Sequence, residues 1–293
     1  MERDIELLLR RALPLIFAVF SHIDDISGRR VVQVGGSGIF IAPFLAITAR
    51  HVSRDAFVLD WRGEHPPSSG YIEPDFTANL IQVLSPPPMP RSAVWAVDRT
   101  WESACTDISL MQVSAESGEA HQMQVQFPTR FFEWMTLPPS IGSDVVMVGY
   151  PQTRITISEG RMHTEAHLAV QKGRVAKIYS LRRDEGMITF PTFLIDIPVD
   201  HGFSGGPVFC GDRLCGIVSS DAILEGGTYA ATLWPLGLLE YEYRDYNELG
   251  RSTKLGDLLD SGVIRSTDWP AVRGRISKQV NDRGSTFAHI TEN

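Results

Sequence analysis

The chain has 293 residues, enough for two compact domains or one large one, and its 43% hydrophobic content is ordinary for a globular protein. A formal net charge of −8 excludes a basic footprint for nucleic acid and reads as a solvated acidic surface. Three cysteines, Cys105, Cys210 and Cys215, are too few for a secreted disulfide framework, so reduced thiols acting as small hydrophobes are expected. Cys210 and Cys215 do flank a hairpin turn, "GDRL", that could bring their side chains close.

The N-terminal stretch "MERDIELLLRRALPLIFAVF" carries Glu2, Asp4 and Glu6 among its arginines, unlike the basic start of a signal peptide. Its apolar run from Ala12 to Phe20 contains Pro14, has no small-residue cleavage site after it, and is too short to span a bilayer. Ile5, Leu8, Leu9 and Ala12 recur at helical spacing, which predicts an amphipathic helix packed on the body. A cytoplasmic protein with no membrane partner is expected. Beyond that helix, short strands separated by turn residues dominate. "VVQVGGSGIFIAP", "LAITARHV", "DAFVLDW", "ANLIQVL" and "ISLMQV" form one cluster. "DVVMVGYP", "HTEAHLAVQKGRVAKIYS", "MITF", "FLIDIPV", "GPVFC", "LCGIVSS" and "YAATLW" form a second, after "FFEWMTLPPS". Such spacing predicts an all-β fold of two antiparallel barrels or sandwiches. The expected divisions are 1–24 for the helix and extension, 25–130, 131–240, and a more polar C-terminal extension over 241–293 with a short helix in "TKLGDLLDSG". "RGEHPPSSG" and "LSPPPMPRS" are too rich in proline for a sheet and read as loops.

Three residue types then fall at suggestive places. His51 follows the apolar "LAIT" run, Asp107 opens "DISLMQV", and Ser204 sits among glycines in "HGFSGGPVF". A serine hydroxyl is a weak nucleophile at neutral pH and needs a base within hydrogen-bond reach. Imidazole titrates near neutrality and can serve, while a carboxylate can fix its tautomer and stabilise the imidazolium. Glycines around Ser204 permit positive φ, so that the N–H groups of Gly202 and Ser204 could point at one developing oxyanion. Each residue alone has a plainer reading, as a strand-end histidine, a turn aspartate or a bulge serine. The order His, Asp, Ser is one of the known orders of a nucleophilic triad.

These segments resemble the trypsin/chymotrypsin-like serine peptidases, in particular their intracellular bacterial members. "TARHV" is similar to the family's T-A-x-H segment, "TDISLMQV" to its D-I-x-L-L segment and "GFSGGPV" to G-x-S-G-G-P. "GIVSSD" resembles the strand after the nucleophile, and "GGSGIFI" the strand before the histidine. Over residues 30 to 240 the resemblance implies two chymotrypsin-like antiparallel β-barrels with the site between them. It implies a serine endopeptidase that needs no cofactor, acting on a protein or peptide substrate. Ser219 would hydrogen-bond Asp107 and offer backbone to substrate, while Pro198, Val199, Asp200, His201, Ser220 and Asp221 would line the substrate cleft.

The pattern departs from the family in two places. Secreted members hold the nucleophile loop with an aspartate just before the serine, paired to a new N-terminus. Here that position is Phe203, and "RRVVQVGG" leaves no room for the strand normally between an activation site and "GGSGIFI". Six residues before Ser204 stands Pro198 rather than an aspartate, leaving Asp200, Asp221 and Glu225 as acidic candidates for specificity. His163, Glu165 and His167 share a strand face, but with Ala166, Leu168 and Val170 opposite they read as the wet side of a sheet rather than a metal set. Two rival readings follow from Phe203: a dormant protease-fold binding module, and a protease switched on by a regulatory partner.

Overall fold

The computed structural model describes residues 2–24, 30–57, 70–72, 78–85, 91–125, 127, 130–158, 161–222, 225–243, 251–280 and 286–291. The two proline-rich loops lie mainly outside the described residues, as do Val58–Trp61 of "DAFVLDW" and the side chain of Asp221.

Helix α1 (Glu2–Ala12) buries Leu8 and Ala12, and an i,i+4 ion pair, Glu6–Arg10 at 2.7 Å, lies along its exposed side. Pro14 blocks its continuation. The following "IFAVF" is buried on both faces and becomes the first barrel strand, β1 (Ile16–Asp24), rather than part of an N-terminal extension. The reason is the run of β-branched and aromatic residues, which fits a strand covered on both sides.

The first barrel also contains β2 (Arg30–Ala42), β3 (Leu45–Ala49), β4 (Gly70–Ile72), β5 (Ala78–Ser85), β6 (Arg91–Glu102) and β7 (Ile108–Ala115). Strand order β6-β5-β1-β2-β3-β7 closes on itself through β6–β7 pairing, and β4 is added outside β6. Its core centres on Phe17, Phe40, Trp95 and Phe127, whose rings meet at 5.0 to 5.6 Å between centroids. The buried Trp95 indole N–H donates to Gln82 at 3.1 Å, and the Gln82 amide donates to Pro14 O. The "LAITARHV" strand stops at Ala49 because helix α2 (Arg50–Phe57) begins there. Helix α3 (Gly118–Val125) follows β7.

The second barrel is formed by β8 (Asp144–Gly149), β11 (Ala169–Tyr179), β12 (Thr192–Ile195), β13 (Pro207–Cys210), β14 (Arg213–Ala222) and β15 (Gly227–Ala231). The order β11-β12-β15-β14-β13-β8 closes it, and β9 (Arg154–Ser158) with β10 (Arg161–Glu165) forms a separate hairpin. "MITF" is a turn, not a strand: Asp184 Oδ1 accepts the N–H groups of Gly186, Met187 and Ile188, so local side-chain bonding displaces sheet pairing.

The C-terminal extension is a brace. A 3-10 turn (Trp234–Leu238) leads to the hairpin of β16 (Glu240–Tyr243) and β17 (Arg251–Lys254), then α4 (Leu255–Asp260), α5 (Trp269–Val272) and the hairpin of β18 (Ile276–Val280) and β19 (Thr286–Ile290). Asp268 accepts from the N–H and hydroxyl of Thr136, the N–H of Leu137 and the hydroxyl of Ser266, at 2.7 to 2.9 Å. It thereby ties the extension to the segment between the barrels. Burial alone would raise the Asp268 carboxyl pKa, but these donors outweigh it and hold the value below the ordinary carboxylate range.

A depressed carboxylate contributes stability above its unfolded pKa and loses it as pH falls through the folded value. Asp268→Asn should therefore cost about 1–3 kcal/mol at pH 7. The gap from the wild type should narrow below about pH 4, where an unfolded aspartate takes up its proton. Urea denaturation across that pH range measures both.

Candidate active site

The pairing of Ala49 with Ile108, the last residue of β3 with the first of β7, brings the start of α2 against Asp107. The Arg50 N–H donates to Asp107 O at 3.0 Å and the His51 N–H to Asp107 Oδ1 at 3.3 Å. The His51 ring approaches Asp107 Oδ2 with Nδ1 at 2.8 Å. Against an ionised carboxylate Nδ1 is the donor, and in a neutral imidazole that leaves Nε2 as the acceptor. The Asp107 side chain is 8% exposed and that of His51 41%, so the carboxylate is shielded while the imidazole reaches the cleft. Arg50 lies 3.9 Å from Asp107 Oδ1 and donates to Ser103 O at 3.1 Å.

Behind His51 lies a buried polar group that the sequence did not announce. Glu102 is fully buried and accepts from Arg54 Nε at 2.7 Å, Ser53 Oγ at 3.2 Å and Ser109 Oγ at 3.4 Å. These bonds pin α2 to β6 and β7. Burial raises the Glu102 carboxyl pKa, and the Arg54 hydrogen bond opposes that shift.

Ser204 comes from the second barrel. Two residues of its turn occupy the left-handed region, Gly202 at φ +98° and Gly205 at φ +83°. A Cβ on Gly205 would collide with Ser37 O and Thr48 Oγ1, so only glycine fits so close to the first barrel. Turn bonds run from Phe203 N to Asp200 O at 3.2 Å, from Gly205 N to Val218 O at 2.8 Å and from Gly206 N to Phe203 O at 2.8 Å. Among the described residues, no backbone carbonyl accepts from Gly202 N or Ser204 N. Phe203 is fully buried in the second barrel's core with Met147, Phe193, Val208 and Val218.

Ser219 joins the two halves. Its hydroxyl donates to Asp107 Oδ2 at 2.6 Å, and its carbonyl accepts from Ser204 Oγ at 3.3 Å. His51, Asp107, Ser204 and Ser219 therefore meet at the junction of the barrels.

The other residues named from sequence are less uniform. Pro198, Asp200 and His201 are exposed and Ser220 is half-buried on β14, whereas Val199 turns into the barrel core. Glu225 is already engaged, accepting from Arg183 at 2.9 Å and Tyr229 Oη at 2.7 Å. The Tyr229 hydroxyl above all holds its pKa below the usual range, against the opposing effect of desolvation and with help from the Arg183 bond. A cavity of about 650 Å³ lies beneath α1, between Ile5, Leu8, Val146, Lys172 and Ile197, and none of the site residues named from sequence lines it. His167 Nε2 and Glu165 form an exposed pair at 3.2 Å, and no cluster able to hold a metal ion occurs among the described residues. All three thiols are free, and burial pushes their pKa values up, most strongly at Cys215. No helix among the described residues is long and apolar enough to cross a membrane.

Two closed barrels with these segments at their junction define a chymotrypsin-like fold. The trypsin-like peptidase domain profile matches residues 36–217, and the chain belongs to that family. A similar solved structure is the Rv3671c protease in its inactive form, 16% identical, with a TM-score of 0.44 over 79% of this chain and 89% of that one. No curated protein matches the sequence.

Burial of Phe203 explains how the segment tolerates an apolar residue before the serine. Phe203→Ala should lower stability by about 3–5 kcal/mol, read from the urea midpoint at constant slope. A loss below about 1 kcal/mol would contradict its role as the anchor of the loop.

Proposed function

We propose that the protein is a serine endopeptidase in which Ser204 is the nucleophile, His51 the general base and acid, and Asp107 the group that orients and stabilises the imidazolium. One observation carries this reading: Ser219 spans the barrels, its hydroxyl on Asp107 and its carbonyl on the Ser204 hydroxyl, while Asp107 holds His51 Nδ1 at 2.8 Å.

In the resting arrangement the Ser204 hydroxyl donates to Ser219 O across a long 3.3 Å contact, which costs little to exchange. On substrate binding it turns to His51 Nε2. Ser204 Oγ then bonds to the scissile carbonyl carbon as its proton passes to Nε2. The carbonyl oxygen takes the negative charge and is received by the N–H groups of Gly202 and Ser204. Collapse breaks the C–N bond, and the amine leaves with the proton from Nε2. Water attacks the acyl ester, gives its proton to Nε2, and Ser204 Oγ departs with it. No cofactor enters this cycle. Pro198, Asp200, His201, Ser219, Ser220 and Asp221 are the proposed contacts to substrate. Free thiols at all three cysteines fit a reducing compartment such as the cytoplasm.

A fluorophosphonate probe should add once to the wild type and not to Ser204→Ala, as read by intact mass. No adduct on the wild type would favour the dormant reading. The labelling rate should rise with pH through about 7, as the imidazole loses its proton. A flat profile between about pH 5 and 9 would remove His51 as the base.

Control by a regulatory partner, if exerted at the N-terminus, must act through α1, because residues 16–24 are barrel wall. Deleting Glu2–Ala12 should change the labelling rate under that proposal, and an unchanged rate would exclude α1 as the control element.

A further inference from the structure

Ser37 lies on β2 of the first barrel, yet three of its hydrogen bonds reach the second. Its N–H donates to Ser204 O at 2.8 Å, and its hydroxyl donates to Gly202 O at 2.7 Å. The same hydroxyl accepts from the N–H of Tyr150, just past β8, at 2.8 Å. Its own carbonyl accepts from Thr48 Oγ1 at 2.6 Å, so the residue is also fixed from behind. The side chain is fully buried. A break in the β1–β2 register, where Val19 faces Gly36 but Phe20 faces Val34, re-aims the strand just before this point. Any Cβ at Gly36 would collide with Ser204 O, so the glycine preceding Ser37 is what allows β2 to come this close.

The position of the hydroxyl matters because of what Gly202 must do. The N–H proposed for the oxyanion belongs to the peptide between residues 201 and 202, and the carbonyl held by Ser37 belongs to the next peptide. Only the torsions of Gly202 join the two planes, and a glycine at φ +98° has many alternatives within reach. Burial of the Phe203 ring fixes where the segment sits but, being non-directional, does not fix how a peptide plane is turned. Hydrogen bonds do, because they weaken steeply off their preferred angle: the N–H of the Gly202–Phe203 peptide reaches Asp200 O at 3.2 Å, and its carbonyl takes the shorter bond, from Ser37 Oγ at 2.7 Å.

We infer that Ser37 is a positioning residue that locks the Gly202–Phe203 peptide, so that the Gly202 N–H faces the reacting carbonyl without an ion pair before the nucleophile. This inference rests on the serine-peptidase reading above. It also implies an oxyanion site that is preformed in the intact chain.

The test compares the wild type, Ser37→Ala and Ser37→Cys, the last keeping the side chain's shape while weakening both hydroxyl bonds. Two probes that need little specificity are used, a fluorophosphonate and 4-nitrophenyl acetate, well below each variant's unfolding temperature. Both variants should react about 10- to 100-fold more slowly, a fraction of what a whole oxyanion donor contributes. Saturation by the ester and the pH midpoint of acylation should stay at the wild-type values, because His51, Asp107 and the cleft walls are untouched. Should Ser37→Ala fail to fold, Ser37→Cys decides alone. Wild-type rates in the folded variants, or a loss carried by weaker saturation or a moved pH midpoint, would overturn the role of Ser37 and leave the enzyme reading standing. A wild type that reacts with neither probe would overturn the enzyme reading itself.

Discussion

The 2.6 Å hydrogen bond from Ser219 to Asp107 is the contact on which the junction of the two barrels turns. Each barrel closes its own sheet, so neither needs the other to satisfy its ladder, while one apolar core runs through both, from Phe17 and Phe40 to Val148 and Ile217. On top of that packing, a small number of short polar bonds fix how the two barrels meet at the candidate site. A bond to an ionised, shielded carboxylate is stronger than a neutral one and far more sensitive to geometry. Asp107 collects three such donors, from Ser219 Oγ, His51 Nδ1 and the His51 main chain. Ser37 adds a second set of links a short way off, onto the turn that carries Ser204.

Apolar packing divides the work with these bonds. Phe203 sinks the Ser204 turn into the second core, and Glu102 with Arg54 ties the His51 helix to the first. The C-terminal extension reinforces the segment between the barrels through Asp268, and Trp101 meets Tyr241 with ring centroids 5.7 Å apart. Position is thus set by burial, and orientation by hydrogen bonds. The turn of Ser204 needs both, because its glycines offer the backbone freedom that the proposed oxyanion site requires and that folding must restrain.

The barrels were legible in the sequence because short alternating strands and turn residues carry their own periodicity. His51, Asp107 and Ser204 stood out in the sequence as candidates because each falls in a local motif beside an expected strand. The structure differs where local signals competed. "ARHV" reads as strand by composition, but Asp107 supplies an acceptor for the Arg50 N–H and a helix starts there. "MITF" looks like a strand until Asp184 takes its N–H groups. Residues 16–24 look like the end of an N-terminal segment, yet β1 needs β2 and β5 as neighbours to be recognised as barrel wall. Ser37 and Asp268 were silent for a different reason: the bonds that matter, Ser37 to Gly202 and Asp268 to Thr136 and Leu137, join residues more than 100 positions apart, and nothing local records the meeting. The one trace at Ser37 is that it stands alone among glycines in "GGSG".

The most direct measurement is a crystal structure of the fluorophosphonate adduct. The account predicts phosphorus bonded to Ser204 Oγ, one phosphonyl oxygen within hydrogen-bond reach of both Gly202 N and Ser204 N, and the Ser37 hydroxyl still on Gly202 O. An adduct whose oxygen points away from those two N–H groups, or a turn that has released Ser37 to form them, would contradict it.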